Sequence, residues 1–538
     1  MSRPDRRPAS DRVEYAARLV AVALLAPTLL LAFLWLEPGD GAFDFSVAER
    51  LLGGEQLYRD MEFFITPLSV YWNALLLRLI SRSMVTVSAA LLVTCLLIGL
   101  ILARLVYRET ERSWPMAGLF FLTVMYMAVY HWPRHGYNWN AALFVALAVV
   151  LLNPRPRIDN GAYGTPLTRL FWAGVMLGVA TGFKHTIGLP MTAAAGMWIV
   201  CTEWPRADRS AVRLIVRGSL FTIGAALVPT VIVLDLYRRG QFARFVEVVY
   251  VRSRQYAQGA SSSFLNNFGL PNSVWSVPNW VLEQVMLMVM VAGLFISVVL
   301  ILGLLFSPTR TRQAGGWLAI ESREPVVMLW AMVYLASFVS TFPRADYPHL
   351  TFAMPSCLTA LCVFARSMIV GNNGGSQRTL RRIAAVVCLA LSIPMAAKLG
   401  YIAFGLATGQ VVVFSAYPAR GMITTPQMAA VFSGIRGAVR DSLADGDPLF
   451  IADPTGCFLY SFLGRRPPTS TVFFYERMVT AADQTELVRQ IESGRIRGLL
   501  IPAPVSAATG RPTRLYADVT RTMEFRAAVR NFHLFVGR

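Results

Sequence analysis

The sequence predicts an α-helical polytopic membrane protein of about eleven transmembrane helices, followed by a small extracytoplasmic α/β domain. Three observations predict it. From about residue 15 to 410, apolar runs of 17–25 residues recur between short polar or basic stretches, and runs of that length span a hydrocarbon core of about 30 Å. Only 15% of the 538 residues are charged, against roughly 25% in a soluble domain. From 411 onward the long runs give way to short strand-like and helix-like segments. The composition excludes a soluble enzyme, a disordered chain and a fibrous repeat. It also excludes a β-barrel, whose strands alternate at every second residue.

The spans fall at about 13–36, 84–106, 115–131, 139–153, 170–183, 186–201, 214–237, 281–306, 326–341, 349–369 and 383–408. The first is too long for a signal-peptide core and meets Glu37-Pro38 instead of a small-residue cleavage site, so it reads as a retained helix. Lys184 and His185 interrupt one long apolar stretch and divide it into two spans.

Orientation follows from basic residues in short loops. With the N-terminus cytoplasmic, every inside loop is arginine-rich, for example Arg155, Arg157 and Arg169, or Arg206, Arg209 and Arg213. The opposite short loops carry one or two basic residues each: Arg134, Lys184, Arg344. An odd number of spans then places the C-terminus outside, which is the arrangement of a multi-pass protein of a bacterial inner membrane. The same placement explains the net charge of +19. The arginines serve orientation, and no nucleic-acid partner is implied. The six cysteines, at 95, 201, 357, 362, 388 and 457, have neither zinc spacing nor a disulfide pattern.

The chain divides into a transmembrane domain, 1–410, with a first extracytoplasmic loop at 37–83, and an α/β domain, 411–538. Within the latter, strands are expected at 449–452, 471–474, 498–502 and 532–536, and helices at 456–463, 483–493 and 518–530.

Polar groups near a membrane are costly and therefore informative. Here they gather on the outside. The first loop carries Asp40, Asp44, Arg59 and Asp60, and its segment 44–52 is amphipathic, as for a helix lying along the interface. The second carries Arg134, His135 and Asn138, the third Lys184 and His185, and a later one Arg344, Asp346 and His349. A carboxylate there can take a proton from an acceptor hydroxyl, while Arg and Lys can neutralise a phosphate leaving group. There is no G-x-S-x-G, P-loop or H-E-x-x-H motif.

The first loop resembles that of the GT-C membrane glycosyltransferases, the superfamily of protein O-mannosyltransferases and lipid A aminoarabinose transferases. Asp40 stands eight residues before Ala48-Glu49-Arg50-Leu51-Leu52, as the family's first Asp does. Thr66-Pro67-Leu68-Ser69-Val70-Tyr71-Trp72 matches its Pro-Leu-x-x-Trp element, and Gly53-Gly54-Glu55-Gln56-Leu57-Tyr58-Arg59-Asp60 resembles a bacterial variant. Arg134 and Asn138 resemble a second-loop Arg and Asp, with Asn in place of Asp, and Pro343-Arg344-Ala345-Asp346-Tyr347-Pro348-His349 resembles a late loop. Two departures stand out: the family's Glu is Gly41 here, and Ile65-Thr66 precede Pro67 where the family has a Lys.

The resemblance covers most of the architecture. It implies inverting transfer of a hexosyl or pentosyl group from a polyprenyl-phosphate donor to an extracytoplasmic lipid, glycan or protein acceptor. Asp40 or Asp44 would be the base. Arg59, Arg134, His135, Lys184, His185, Arg344, Asp346 and His349 would contact the donor phosphate or substrate. No cofactor is assigned: a divalent metal is compatible with these loops but not indicated, since none holds a clear two-carboxylate set. Two other classes stay open, a transporter or lipid flippase and a non-enzymatic envelope-assembly protein.

The arginine bias makes one prediction testable without any assay of function. A reporter fused after Arg538 should be active only when its fusion partner works outside the cytoplasm, and a reporter active only inside would overturn the topology.

Overall fold

The computed structural model describes residues 24, 27–109, 114–130, 136–153, 155–156, 163–203, 211–254, 277–306, 324–342, 347–369, 396–470, 481–502 and 519–537. Each apolar run is helical over most of its described residues. The first span is helical over 27–33 (α1) and the last over 396–408 (α14). Between them lie α4 (Met84–Glu109), α5 (Trp114–Tyr130), α6 (Gly136–Leu152), α7 (Leu167–Phe183), α8 (His185–Glu203), α9 (Ala211–Arg238), α11 (Val277–Phe306), α12 (Glu324–Ser340) and α13 (Tyr347–Ile369). Among the described residues, three segments are long and apolar enough to cross a bilayer by length and composition, Met84–Glu109, Ala211–Arg238 and Gln284–Leu304; shorter apolar stretches run over Met116–Ala128, Gly136–Leu152, Leu167–Phe183, Pro325–Ser340 and His349–Ala365. The molecule is a multi-pass helical membrane protein. In hydrocarbon, each helix satisfies its own backbone hydrogen bonds.

Packing sorts the helices. α12 is apolar all round and buried, with Trp330 and Tyr334 at its centre. Gly293 of α11 makes room for Tyr334: a Cβ there would stand 2.2 Å from the ring, whose hydroxyl donates to the Val289 carbonyl at 2.5 Å. α7 and α9 touch backbone to backbone, since a Cβ on Gly174 would lie 2.2 Å from the Phe221 carbonyl oxygen. At the inner end, Glu203 is buried and pairs with Arg213 (2.9 Å) and Arg217 (3.2 Å). The Arg217 guanidinium also donates to the Thr165 carbonyl at 2.9 Å. Arg213, one of the arginines from which the orientation is read, thus also ties helices together.

The opposite face, called outer here because it carries the 37–83 loop, has its own architecture. α2 (Asp40–Leu52) and α3 (Leu68–Leu79) form within the loop. After α9 the chain turns into α10 (Phe242–Val246), which continues as a π-helical turn, Glu247–Arg252. The C-terminal region then adds a hairpin, β1 (Val412–Val413) with β2 (Ile423–Thr424), and α15 (Pro426–Ser442). A four-stranded sheet follows from β3 (Leu449–Ile451), β4 (Gly498–Pro502), β5 (Met523–Val529) and β6 (Phe532–Gly537), in the order β3-β4-β6-β5. β3 and β4 are parallel, while β4 with β6 and β6 with β5 are antiparallel. The helices α16 (Gly456–Leu463) and α17 (Ala481–Glu492) complete it.

The expected helix at 518–530 is corrected: only 519–522 are helical, and 523–529 form β5. Ala527 and Ala528 suit a helix, but six residues of β5 are paired along β6 through a two-residue turn at Arg530-Asn531, where Arg530 takes φ 51°. Long-range pairing outweighs local propensity. The expected strand at 471–474 lies outside the described residues.

The loop and the C-terminal region share one apolar core. Phe43, Phe45, Phe63 and Val70 of the loop pack in the same cluster as Phe245, Phe414, Phe432, Phe458, Phe462 and Leu534. Consequently α2 is not a half-exposed interfacial helix: residues 42–48 are all buried, because both of its faces are covered. Polar contacts fasten the rim. Leu36 N–H donates to the Ile423 carbonyl (2.8 Å), Glu62 N–H to that of Ser470 (2.9 Å) and Met84 N–H to that of Pro418 (3.1 Å). Glu49 of α2 accepts from the hydroxyls of Tyr417 and Ser461. Burial pushes its carboxyl pKa up, partly opposed by the Ser461 hydrogen bond and by Arg82.

Phe458 is fully buried and its ring meets those of Phe414, Phe432 and Phe462. Phe458→Ala should therefore cost about 3–5 kcal/mol, read as a lower melting temperature of the detergent-solubilised protein. An unchanged melt would mean that this shared core does not hold the outer face.

Candidate active site

The site is built where the outer ends of the helices meet α2. Glu37 caps α2: its carboxylate accepts from Gly39 N–H at 3.2 Å and from Gly41 N–H. A side chain at 41 would begin in the space Glu37 occupies, since a Cβ there would stand 3.1 Å from Glu37 Oε2. Where the family resemblance has a Glu at the position of Gly41, this chain brings a carboxylate from four residues earlier. Asp40 opens α2; its side chain lies outside the described residues. Asp44, one turn further on, is 2% exposed. A Cβ on Gly136, the first residue of α6, would lie 3.3 Å from Asp44 Oδ2, so this carboxylate sits at the mouth of the second outer loop.

Two residues into α6, Asn138 is buried and its Oδ1 accepts from the Lys184 ammonium at 2.6 Å. Lys184 is the single extended residue between α7 and α8, with φ −154° and ψ 108°. Its carbonyl accepts from Ile187 and Gly188 N–H, which starts α8 at once. The hairpin is tight because Gly188 lies against Thr181, with a Cβ at 188 standing 2.3 Å from Thr181 N. The ammonium lies 5.1 Å from the Tyr137 ring centroid and 5.6 Å from that of Phe352 on α13, within reach of cation–π attraction. His349 meets Phe352 edge-on at 6.1 Å. The His185 ring meets that of Tyr250, on the π-helical turn, at 5.0 Å and a tilt of 50°. α3 closes the ring: a Cβ on Gly182 would stand 3.1 Å from Leu68 Cδ2. The stretch before Leu68, where the family's missing lysine would stand, therefore lies beside the one that carries Lys184.

Asp44, Lys184, His185 and His349 are thus brought to one end of the bundle by α2, α6, α8, the π-helical turn and α13. Arg59 is not: it is exposed and bound to Asp60 by two hydrogen bonds of 2.9 Å. Its guanidinium and the Gln56 N–H hold the Asp60 carboxyl below its usual range. Arg134, His135, Arg344 and Asp346 lie outside the described residues. Among the described residues no three His, Cys, Asp or Glu side chains stand together as a metal site.

A second polar group was not anticipated. Glu62 is 4% exposed and takes hydrogen bonds from Arg244 and, at 3.1 Å, from Arg252. Glu247 binds both arginines, at 2.6 and 3.3 Å, and Arg252 comes within 3.8 Å of Asp483 on α17. Three segments distant in the chain are joined by charge.

With this arrangement in view, comparison with solved structures gives the class. The chain is similar to the crystal structure of ArnT from Cupriavidus metallidurans bound to undecaprenyl phosphate, with 12% identity and a TM-score of 0.57 over 98% of each chain. It is similar also to the apo state of that protein, at 13% identity and a TM-score of 0.50 over 96% of this chain and 97% of that one. No protein-family model matches the chain, and no curated protein matches it in sequence. The chain shares the fold of that protein, the GT-C fold.

The Glu62 network carries a prediction. Glu62→Gln leaves Arg244 and Arg252 a poorer partner, and because those arginines are a quarter to a third exposed the loss should be about 1–3 kcal/mol, less than for a fully buried pair. Arg59→Ala, at the surface, should leave the melting temperature at the wild-type value. Equal melting of both variants with wild type would show that the network is not structural.

Proposed function

We propose that the chain is a membrane glycosyltransferase that moves a sugar from a polyprenyl-phosphate donor to an extracytoplasmic acceptor. The observation that carries this reading is the meeting of Asp44, Asn138, Lys184 and Phe352, from four separate segments, at one end of a GT-C fold. The similarity to a protein crystallised with undecaprenyl phosphate supports a polyprenyl-linked donor. The proposed orientation keeps the N-terminus in the cytoplasm and the site outside.

In the proposed reaction, the acceptor hydroxyl attacks the anomeric carbon as a carboxylate takes its proton. The bond from that carbon to the phosphate oxygen breaks, the phosphate leaves with the electron pair, and the centre inverts. Asp40 and Asp44 are four residues apart on α2 and so share a face; one of them is the base. Lys184 neutralises the leaving phosphate. Arg134, His135, His185, Arg344, Asp346 and His349 belong to the loops around it and are assigned to donor or acceptor contacts. Arg59, tied to Asp60 at the surface, is the weakest member of the set.

Transfer from a polyprenyl-phosphate sugar in membranes should fall by about 10²–10⁴-fold when the base is changed to Asn. Asp40→Asn and Asp44→Asn are compared with wild type at matched yield. Loss in one variant identifies the base, and near-wild-type transfer by both would refute the mechanism.

A further inference from the structure

We infer that the groove between the inner halves of α8 and α9 is a binding site for one acyl chain of an anionic phospholipid, whose headgroup is drawn to the basic segment joining these helices. The groove has a volume of about 350 Å³. Val200 of α8 and Ile215 of α9 line it and are exposed, so it faces the bilayer. Phe221 closes its floor: the residue is buried, and its ring lies 3.9 Å from where a Cβ on Gly196 would stand. Gly218 keeps the groove open, since a Cβ there would meet nothing within 4 Å. Thr192, at the far end, turns its hydroxyl back to the Gly188 carbonyl at 2.8 Å, which leaves the lining suited to hydrocarbon.

Length and charge select the occupant. From Thr192 to Val200 the groove follows α8 for about 12 Å at 1.5 Å per residue, most of the depth of one leaflet in a hydrocarbon core of about 30 Å. It starts within a turn of Glu203, the last residue of α8, which is where a headgroup would lie. From 203 to 217 the sequence holds Arg206, Arg209, Arg213 and Arg217 against Glu203 and Asp208. Four arginines against two carboxylates leave the segment positive however its members pair. Glu203 fixes Arg213 and Arg217 at 2.9 and 3.2 Å, so the attraction is that of the whole segment and not of one arginine. A basic segment beside a groove between helices is the arrangement that favours an anionic lipid headgroup. The groove lies at the opposite end of the bundle from the candidate active site, and the inference does not depend on the transferase reading.

The test is lipid binding by the full-length, detergent-solubilised protein, stripped of lipid and then offered phosphatidylglycerol or phosphatidylethanolamine with the same acyl chains, read by native mass spectrometry. Wild type should bind phosphatidylglycerol about tenfold more tightly than phosphatidylethanolamine. Gly218→Leu fills the groove with no neighbour in its way. It should weaken phosphatidylglycerol binding by about tenfold, the scale of two or three methylenes kept out of an apolar site. Val231→Leu, on the exposed face of α9 outside the groove, should bind as wild type does. Equal binding of the two lipids by wild type overturns the inference, and that comparison needs no variant. Wild-type binding of phosphatidylglycerol by Gly218→Leu overturns it as well. If Gly218→Leu instead loses only undecaprenyl phosphate, the groove belongs to a prenyl chain; if it only dissociates a wild-type dimer, the groove belongs to a second copy. Either result overturns the inference. Sugar transfer is not the readout, so failure of the transferase reading leaves this test standing.

Discussion

The outer half of the molecule depends on an apolar core to which neither the first loop nor the C-terminal region could contribute alone. Phe414, Phe432, Phe458 and Phe462 meet with ring centroids 4.6–6.2 Å apart, and Phe43, Phe45 and Phe63 of the loop are buried in the same cluster. Phe43 stacks on Phe63 at 5.3 Å, and Tyr58 meets Phe245 at 5.2 Å, so the segment after α9 joins as well. A short helix such as α2 is marginal in isolation. Here it is clamped between α3 and α16, and the position of Asp44 follows from that clamp. The C-terminal region is therefore part of the foundation of the candidate site.

The legible part of the fold was the part governed by length and hydropathy. Spans announce themselves because an apolar run has few alternatives, and Lys184 announced itself because a charge between two such runs is costly. The strand 498–502 and the helix 456–463 were legible for the same reason: short apolar segments between turn residues. What escaped was set by partners distant in the chain. β5 is a strand because β6 pairs with it. α2 is buried because residues more than four hundred positions later cover it, as the Glu49–Ser461 hydrogen bond shows. The Glu62 network joins residues 182 and 190 positions apart, and nothing local to Glu62 distinguishes it from a solvated loop carboxylate. Glu37 likewise reads as a span-end residue, yet it fills the space beside Gly41.

Two kinds of cation are separated by this architecture. Arg244 and Arg252 on the outer face, and Arg213 and Arg217 on the inner, are each bound to a buried carboxylate. Such pairs fix helices and loops, and an arginine already bound to a carboxylate has less to offer an incoming anion. Lys184 has a neutral acceptor among its contacts. An amide oxygen sets its direction, two aromatic rings wall it, and a one-residue break in an otherwise continuous helical hairpin sets its depth. Lysine is rare in this chain, with two residues against many arginines, and one of the two stands at the turn where the outer ends of α6, α7, α8 and α13 converge. Guanidinium would need several acceptors to satisfy its donors in this half-buried turn. An amide oxygen and aromatic walls suit an ammonium, a compact point charge on a flexible stem.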